Sequence, residues 1–79
     1  LVLQEQDKFI DYRFSKALVR RLTQLDGAPL DSFMQVYRPS FMFTKFAGEY
    51  DFQQYIKDSY LRFKNGLRPL PIFKEEEEE

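Results

Sequence analysis

Two tyrosine–lysine pairs have the only spacing in this chain that suggests catalysis. Tyr12 precedes Lys16 by four residues, and Tyr60 precedes Lys64 by the same interval. A lysine ammonium close to a phenol favours the phenolate, so a tyrosine in such a pair can act as a general acid near neutral pH. The pairs are therefore the one catalytic hypothesis that the residues offer.

The rest of the sequence lacks what this chemistry requires. The pairs are similar to the tyrosine–lysine pair of short-chain dehydrogenases, which also need a dinucleotide site. The glycines Gly27, Gly48 and Gly66 form neither G-x-G-x-x-G nor a P-loop. Without His or Cys there is no Ser-His-Asp or Cys-His arrangement and no imidazole or thiolate metal site. We expect no enzyme activity, no cofactor and no metal, and the residues name neither a substrate nor a reaction.

Composition predicts one small domain whose own core provides little net stability. The chain has 79 residues, of which 43% are hydrophobic and 18% aromatic, too many for a disordered chain. At this size a core contributes only about 3–5 kcal/mol of net stability, and no disulfide is available to add to it. No run of 18 apolar residues and no signal-peptide pattern is present, which predicts a soluble chain without a membrane span.

The net charge of -1 conceals an uneven distribution. Residues 75–79 are five consecutive Glu, so 8 acidic side chains remain against 12 basic ones in the rest of the chain, a balance of about +4. This balance suits nucleic acid or an acidic protein. Seven cations are candidate phosphate contacts: Arg13, Lys16, Arg20, Arg38, Lys57, Arg62 and Lys64.

The first third of the chain has the pattern of one long amphipathic helix that ends near Gly27. Its core-facing side chains recur at steps of three and four: Ile10, Phe14, Ala17, Leu18, Leu22 and Leu25. A second apolar strip, formed by Phe9, Tyr12 and Val19, flanks them. Gly27 is expected in the left-handed conformation at the end of the helix. A helix that is apolar on two sides is usually covered on two sides.

Two short elements are expected between Ala28 and Gly48. Asp31 or Ser32 can cap a helix that runs to Tyr37 or Arg38, where Pro39 ends it. Ser40 can cap the next segment, 41–47, which is predicted as a helix with a short strand as the alternative. This segment is apolar nearly all round, so it must be buried in this chain or in a neighbour.

The last helix and the residues after it have clearer signals. Asp51 and Gln54 have the spacing of a capping box, and Asn65-Gly66 is a helix stop. One face of this helix is predicted to be buried, namely Phe52, Tyr55, Ile56, Ser59, Tyr60 and Phe63. Leu61 points to the polar side, and Asp58 and Arg62 form an expected surface pair.

Pro69 and Pro71 exclude a helix from segment 67–73, which is predicted to be an extended arm that returns to the domain or lies along a partner.

We therefore expect an all-α fold: a bundle of three to four helices over residues 1–66, with an extended Pro-containing arm and an acidic tail over 67–79. The function expected is that of a non-catalytic accessory or scaffold subunit that binds protein partners in a larger multiprotein complex. The partner-binding candidates are Phe9, Tyr12, Val19, Phe41, Phe43, Leu70, Ile72 and Phe73. The alternative is an RNA-bound component of a ribonucleoprotein, such as a ribosomal protein, that uses the seven cations above.

The chain begins at Leu1 rather than Met, which is typical of a processed or excised chain. We expect an intracellular location, or an organelle if a transit peptide preceded Leu1.

Overall fold

Five α-helices make up the regular structure of residues 2–70, the part of the chain that the computed structural model describes. In chain order they are α1 (Val2–Arg13), α2 (Lys16–Thr23), α3 (Gly27–Val36), α4 (Phe41–Phe46) and α5 (Glu49–Lys64). No strand occurs between residues 2 and 70. The all-α class is therefore confirmed.

The single first helix predicted from the sequence is wrong, because the chain breaks between α1 and α2. Ser15 adopts an extended backbone (φ -84°, ψ 153°), and its hydroxyl accepts a hydrogen bond from the amide of Leu18 at 3.2 Å. Ser competes well for this capping role, so it can start a new helix inside an apolar repeat. The predicted first helix is consequently two helices, α1 and α2.

The break also changes which side chains face the core. Val19, predicted for the flanking strip, is fully buried, whereas Ala17, predicted for the core stripe, is exposed. Ile10 and Phe14 are buried as predicted. A change of helix direction between residues 13 and 16 resets the periodicity, so positions beyond it cannot be placed by extending the first repeat.

The turn between α2 and α3 differs from the prediction by several residues. α2 ends at Thr23 and is capped by Gln24, which has a left-handed φ of 67°. α3 begins after Asp26, whose carboxylate accepts from the amide of Gly27. α3 thus begins before the expected caps at residues 31 and 32, and Pro29 lies in its first turn, where no intrahelical amide bond is lost. Gly27 has a left-handed φ of +60°, as predicted, but it is the first residue of α3, and the predicted helix end at Gly27 is wrong because Gln24 caps the preceding helix.

The predicted N-cap of α4 is confirmed, and the predicted N-cap of α5 is wrong. Ser40 caps α4 by accepting from the amide of Phe43 at 3.0 Å, so the helix was the right choice over the strand for this segment. α5 begins at Glu49 after Gly48, which has no side-chain cap, so the predicted capping box at Asp51 is wrong. Glu49 and Asp51 instead lie in the first turn, where carboxylates interact favourably with the helix dipole.

An aromatic core lies where α5 meets the other helices. Phe33 of α3 is fully buried and stacks on Tyr37 at 5.2 Å between ring centroids, with Phe63 edge-on at 5.4 Å. The predicted buried face of α5 is confirmed at its four most buried residues, Phe52, Tyr55, Ile56 and Ser59. α1 packs on α4, and α2 packs on both α3 and α5.

The chain turns back on the domain after α5. The Tyr37 hydroxyl donates to the carbonyl of Leu67, and Arg62 Nε donates to the carbonyl of Arg68 at 2.7 Å. Residues 67–70 are not helical, as predicted. The expectations for Ile72, Phe73 and the acidic tail concern residues outside the described range.

None of the helices between residues 2 and 70 combines the length and apolar character needed to cross a membrane.

Ser40→Ala should lower the free energy of unfolding by about 1 kcal/mol, because the amide of Phe43 loses its side-chain acceptor at the start of a six-residue helix. Ser32→Ala, at an exposed position in α3, is the control and should change it by less than about 0.5 kcal/mol. Chemical denaturation of the three proteins measures both values, and equal stabilities would show that the cap contributes nothing.

Candidate interaction surfaces

An exposed apolar surface, which we call the α1–α4 surface, lies where α1 and α4 pack together. It comprises Val2, Phe9, Phe41 and Phe46, with Glu5 and Lys45 among them. The ring of Phe9 meets that of Phe41 edge-on, with 6.0 Å between centroids. Together with Gln6, most of these side chains line a groove of about 450 Å³ between the two helices.

The side chains of this surface differ in how far they are exposed, and Phe41 is partly buried. The exposed fraction is 68% for Phe46, 67% for Val2 and 37% for Phe9. Lys45 Nζ lies 5.9 Å from the ring centroid of Phe41 and 5.5 Å from that of Phe46, so its ammonium spans the two rings of α4. The surface is therefore apolar in area, with one cation and one carboxylate close by.

A second groove, the α4–α5 groove, lies on the other side of α4. Its lining residues are Phe43, Asp51, Gln54, Tyr55, Asp58, Ser59, Arg62 and Leu70, and its volume is about 210 Å³. The rings of Phe43 and Tyr55 pack together with 5.2 Å between centroids. Its lining is mostly apolar by area, although two carboxylates contribute to it.

The structure distributes the partner-binding candidates between residues 2 and 70 over four places. Phe9 and Phe41 meet in the α1–α4 surface, and Phe43 and Leu70 meet in the α4–α5 groove. Tyr12 is 80% exposed on α1, and it lines a shallow depression beside Arg13. Val19 belongs to the core.

Sequence reasoning missed Phe46 and Val2 as surface residues. The signal for Phe46 was present, because segment 41–47 is apolar nearly all round and a six-residue helix cannot bury every side. Which ring remains outside depends on the direction in which α4 packs, and the sequence does not give that direction.

Arg13, the first candidate phosphate contact, uses its guanidinium for contacts within the fold. Its Nη1 donates to the carbonyls of Thr44 at 2.6 Å and Ala47 at 2.7 Å. Its guanidinium carbon lies 4.2 Å from the ring centroid of Phe52, and its Nη2 lies 3.5 Å from a carboxylate oxygen of Glu49. With only 17% of its side chain exposed, Arg13 stabilises the end of α4 and presents little surface to a ligand.

Most of the other candidate cations also have partners within the fold. The ion pairs are Lys16 with Asp31 at 3.2 Å, Arg20 with Asp26 at 3.7 Å, and Arg38 with Asp11 at 2.7 Å and Asp7 at 3.6 Å. Arg62 donates to the carbonyl of Arg68 instead of forming the expected pair with Asp58, which accepts from Gln54 at 3.0 Å. Lys57 is exposed on α5. These positions do not form a continuous basic face, since acidic side chains lie among them.

The two tyrosine–lysine pairs have different geometries. Tyr12 ends up in α1 and Lys16 at the start of α2, so they are not one turn apart on a single helix. Lys64 Nζ lies 5.2 Å from the ring centroid of Tyr60, which places the ammonium over the ring face. Residues 2–70 hold no group of three His, Cys, Asp or Glu side chains arranged for a metal ion. The absence of catalysis stays a prediction.

The hydroxyl of Tyr55 is a titratable group that the fold largely buries. Burial raises the pKa of its hydroxyl above the ordinary value, a hydrogen bond with Ser59 opposes the shift, and the nearby Tyr37 adds to it. The Tyr55 hydroxyl donates to the Tyr37 carbonyl at 2.8 Å. The protonated form is thus the one that the fold accommodates.

Comparison with protein-family models, with curated proteins and with solved structures finds no match for this chain. The functional argument therefore depends on the two grooves and their side chains.

Arg13→Lys should lower the free energy of unfolding by about 1–3 kcal/mol. A lysine has no planar guanidinium that could lie over the Phe52 ring while donating to the carbonyls of Thr44 and Ala47. Arg21→Lys, at an exposed position in α2, is the matched control and should stay within about 0.5 kcal/mol of the native chain. Equilibrium denaturation measures both, and the proposed role of Arg13 fails if the two substitutions cost the same.

Tyr55→Phe should reduce the loss of stability at alkaline pH. Because the folded state raises the pKa of Tyr55, its contribution is complete below the unfolded pKa of about 10 and is lost as pH rises through the folded value. Near neutral pH the substitution should cost about 1 kcal/mol for the lost hydrogen bond.

Urea denaturation at pH 8 and pH 11 tests this expectation. Tyr50→Phe, at an exposed position, should show the same alkaline loss as the native chain. An undiminished alkaline loss in Tyr55→Phe would contradict the assignment.

Proposed function

We propose that this chain is a small non-catalytic accessory or scaffold subunit of a larger multiprotein assembly, and that the α1–α4 surface binds its protein partner. The observation that carries the proposal is the exposure of Phe9 and Phe46 beside a groove between two helices. Exposed rings are common singly, but a contiguous apolar patch beside a groove is typical of an interaction site.

The area involved is large for so small a domain. Phe9 and Phe46 together expose the equivalent of about one phenylalanine ring, roughly 200 Å². Covering that area would contribute about 5 kcal/mol before the entropy cost of association. This is similar to the entire net stability of a domain of this length. Binding would therefore stabilise the fold strongly as well as hold the complex together.

The shape and charge of the groove indicate the kind of partner. A groove between two helices accepts the apolar face of a third, amphipathic helix. Glu5 lies on the α1 wall and Lys45 on the α4 wall, so a helix with an acidic residue on one flank and a basic residue on the other would bind in one orientation. We therefore favour a partner helix with an apolar stripe and charges of both signs.

The RNA alternative has less support. Phosphate binding needs cations that are free to face a nucleic acid, whereas Arg13, Arg20 and Arg38 are engaged with carbonyls or carboxylates. The two proposals differ in salt dependence: RNA affinity falls with log K decreasing by about 0.9 per phosphate neutralised, while an apolar interface is much less sensitive to salt.

Phe46→Glu should weaken binding of the partner by about tenfold or more, because a carboxylate would replace the most exposed ring of the α1–α4 surface and would be costly to bury against a partner. The partner is first isolated by co-purification with the full chain and identified, and its Kd is then measured by calorimetry. Leu61→Glu is the matched control, since Leu61 is 54% exposed on α5 and is not part of the α1–α4 surface. It should change the Kd by less than about twofold.

The isolated chain provides a second measurement. It should bind a hydrophobic dye and self-associate at micromolar concentration, and Phe46→Glu should reduce both while Leu61→Glu does not. A monomeric native chain that unfolds cooperatively and binds no dye would contradict the proposal. Equal partner affinities for the two variants would contradict it as well.

A further inference from the structure

The α4–α5 groove combines an apolar floor with an acidic edge. Phe43 and Tyr55 supply the rings, and Asp51 and Asp58 supply the carboxylates. The two carboxylates are seven residues apart on α5, or about 10 Å along the helix axis. The cation in the lining, Arg62, directs its Nε to the carbonyl of Arg68. A ligand suited to this groove would therefore carry two or three apolar side chains followed by a positive charge.

The path of the chain brings its own C-terminal segment to this groove. Hydrogen bonds from Tyr37 to Leu67 and from Arg62 to Arg68 hold the start of the arm against the domain. Leu70, the last described residue, is itself part of the groove lining. The described part of the chain therefore ends at the groove.

The sequence after Leu70 matches the chemistry of the groove. Pro71 is followed by Ile72, Phe73 and Lys74, and then by the five Glu. Residues 71–79 lie outside the described range. The sequence of residues 72–74 is apolar, apolar, basic. Three extended residues reach about 10 Å, which is also the distance between the two carboxylates along α5.

We propose that the α4–α5 groove is the binding site for the chain's own segment 72–74, with Ile72 and Phe73 against the rings and Lys74 at the acidic edge formed by Asp51 and Asp58. The same two carboxylates repel the glutamates that follow and direct them away from α5. Pro69 and Pro71 restrict the arm and lower the entropy lost on docking. In this proposal the arm docks on its own domain. The sequence alone left open whether the arm returns to the domain or lies along a partner.

Nuclear magnetic resonance of the full chain tests the proposal. Phe73→Ser should shift the amide resonances of residues 51–62 and leave those of α1 and α2 in place, which also shows that the variant is folded. It should raise the equilibrium constant for unfolding by about fivefold or more. Glu77→Gln, in the acidic tail, is the matched control and should leave the α5 resonances unchanged.

Lys74→Glu tests the charge match separately. It should shift the resonances of Asp51 and Asp58 at low salt, and the shifts should diminish as salt rises. Lys74→Glu spectra that equal those of Glu77→Gln would overturn the role of Lys74.

Two results would overturn the docking itself. One is a Phe73→Ser spectrum identical to that of the native chain. The other is a native dimer in sedimentation that Phe73→Ser converts to a monomer, because the segment would then occupy the groove of a second copy. Neither result bears on the α1–α4 surface, whose test is the Phe46→Glu variant.

Discussion

The placement of α4 depends on the guanidinium of Arg13. A helix of six residues is too short to be stable alone, and its last carbonyls have no partners of their own. One side chain from α1 donates to two of the carbonyls at this end, those of Thr44 and Ala47, while lying over the Phe52 ring of α5. A single residue thus connects three helices and satisfies two carbonyls at the end of α4.

The direction of α4 in turn determines both grooves. With its end held by Arg13, α4 directs Phe41 towards α1 and Phe43 towards α5. Phe46 is then left outside, beside Lys45. An almost wholly apolar helix is tolerated here because each side has a different environment: one ring packs on α1, one packs on α5, and one remains exposed. The proposed partner site and the proposed site for the arm are therefore two sides of one short helix.

The sequence predicted those features that depend on local periodicity. The buried face of α5 follows from a repeat of 3.6 residues in one uninterrupted helix, and the cap at Ser40 follows from its position before an apolar segment. The break at Ser15 was not predicted because Phe14, Leu18 and Leu22 continue the same repeat across it. The start of α5 was missed because Asp51 has the right spacing for a cap, although the helix already begins two residues earlier.

The candidate sites were harder to predict, since they depend on contacts between distant residues. Arg13 is one of several cations in the sequence, and its partners are backbone carbonyls, which no residue type reveals. Phe9 and Phe41 were both identified as surface candidates, but their proximity required the packing of α1 on α4. Phe46 could be placed only after the direction of α4 was known.

The distance in sequence between α1 and α4 has a consequence for how the chain folds. Arg13 reaches partners 31 to 36 residues ahead of it, whereas α2 and α3 are neighbours in the chain. Closing a long loop costs more entropy than joining adjacent helices, so the α2–α3 pair can form early and the docking of α1 must wait. Until α4 has been synthesised, α1 has little to pack on, because Ile10 is its one buried residue. The contact of α1 with α4, like that of α2 with α5, therefore forms after the local α2–α3 pair.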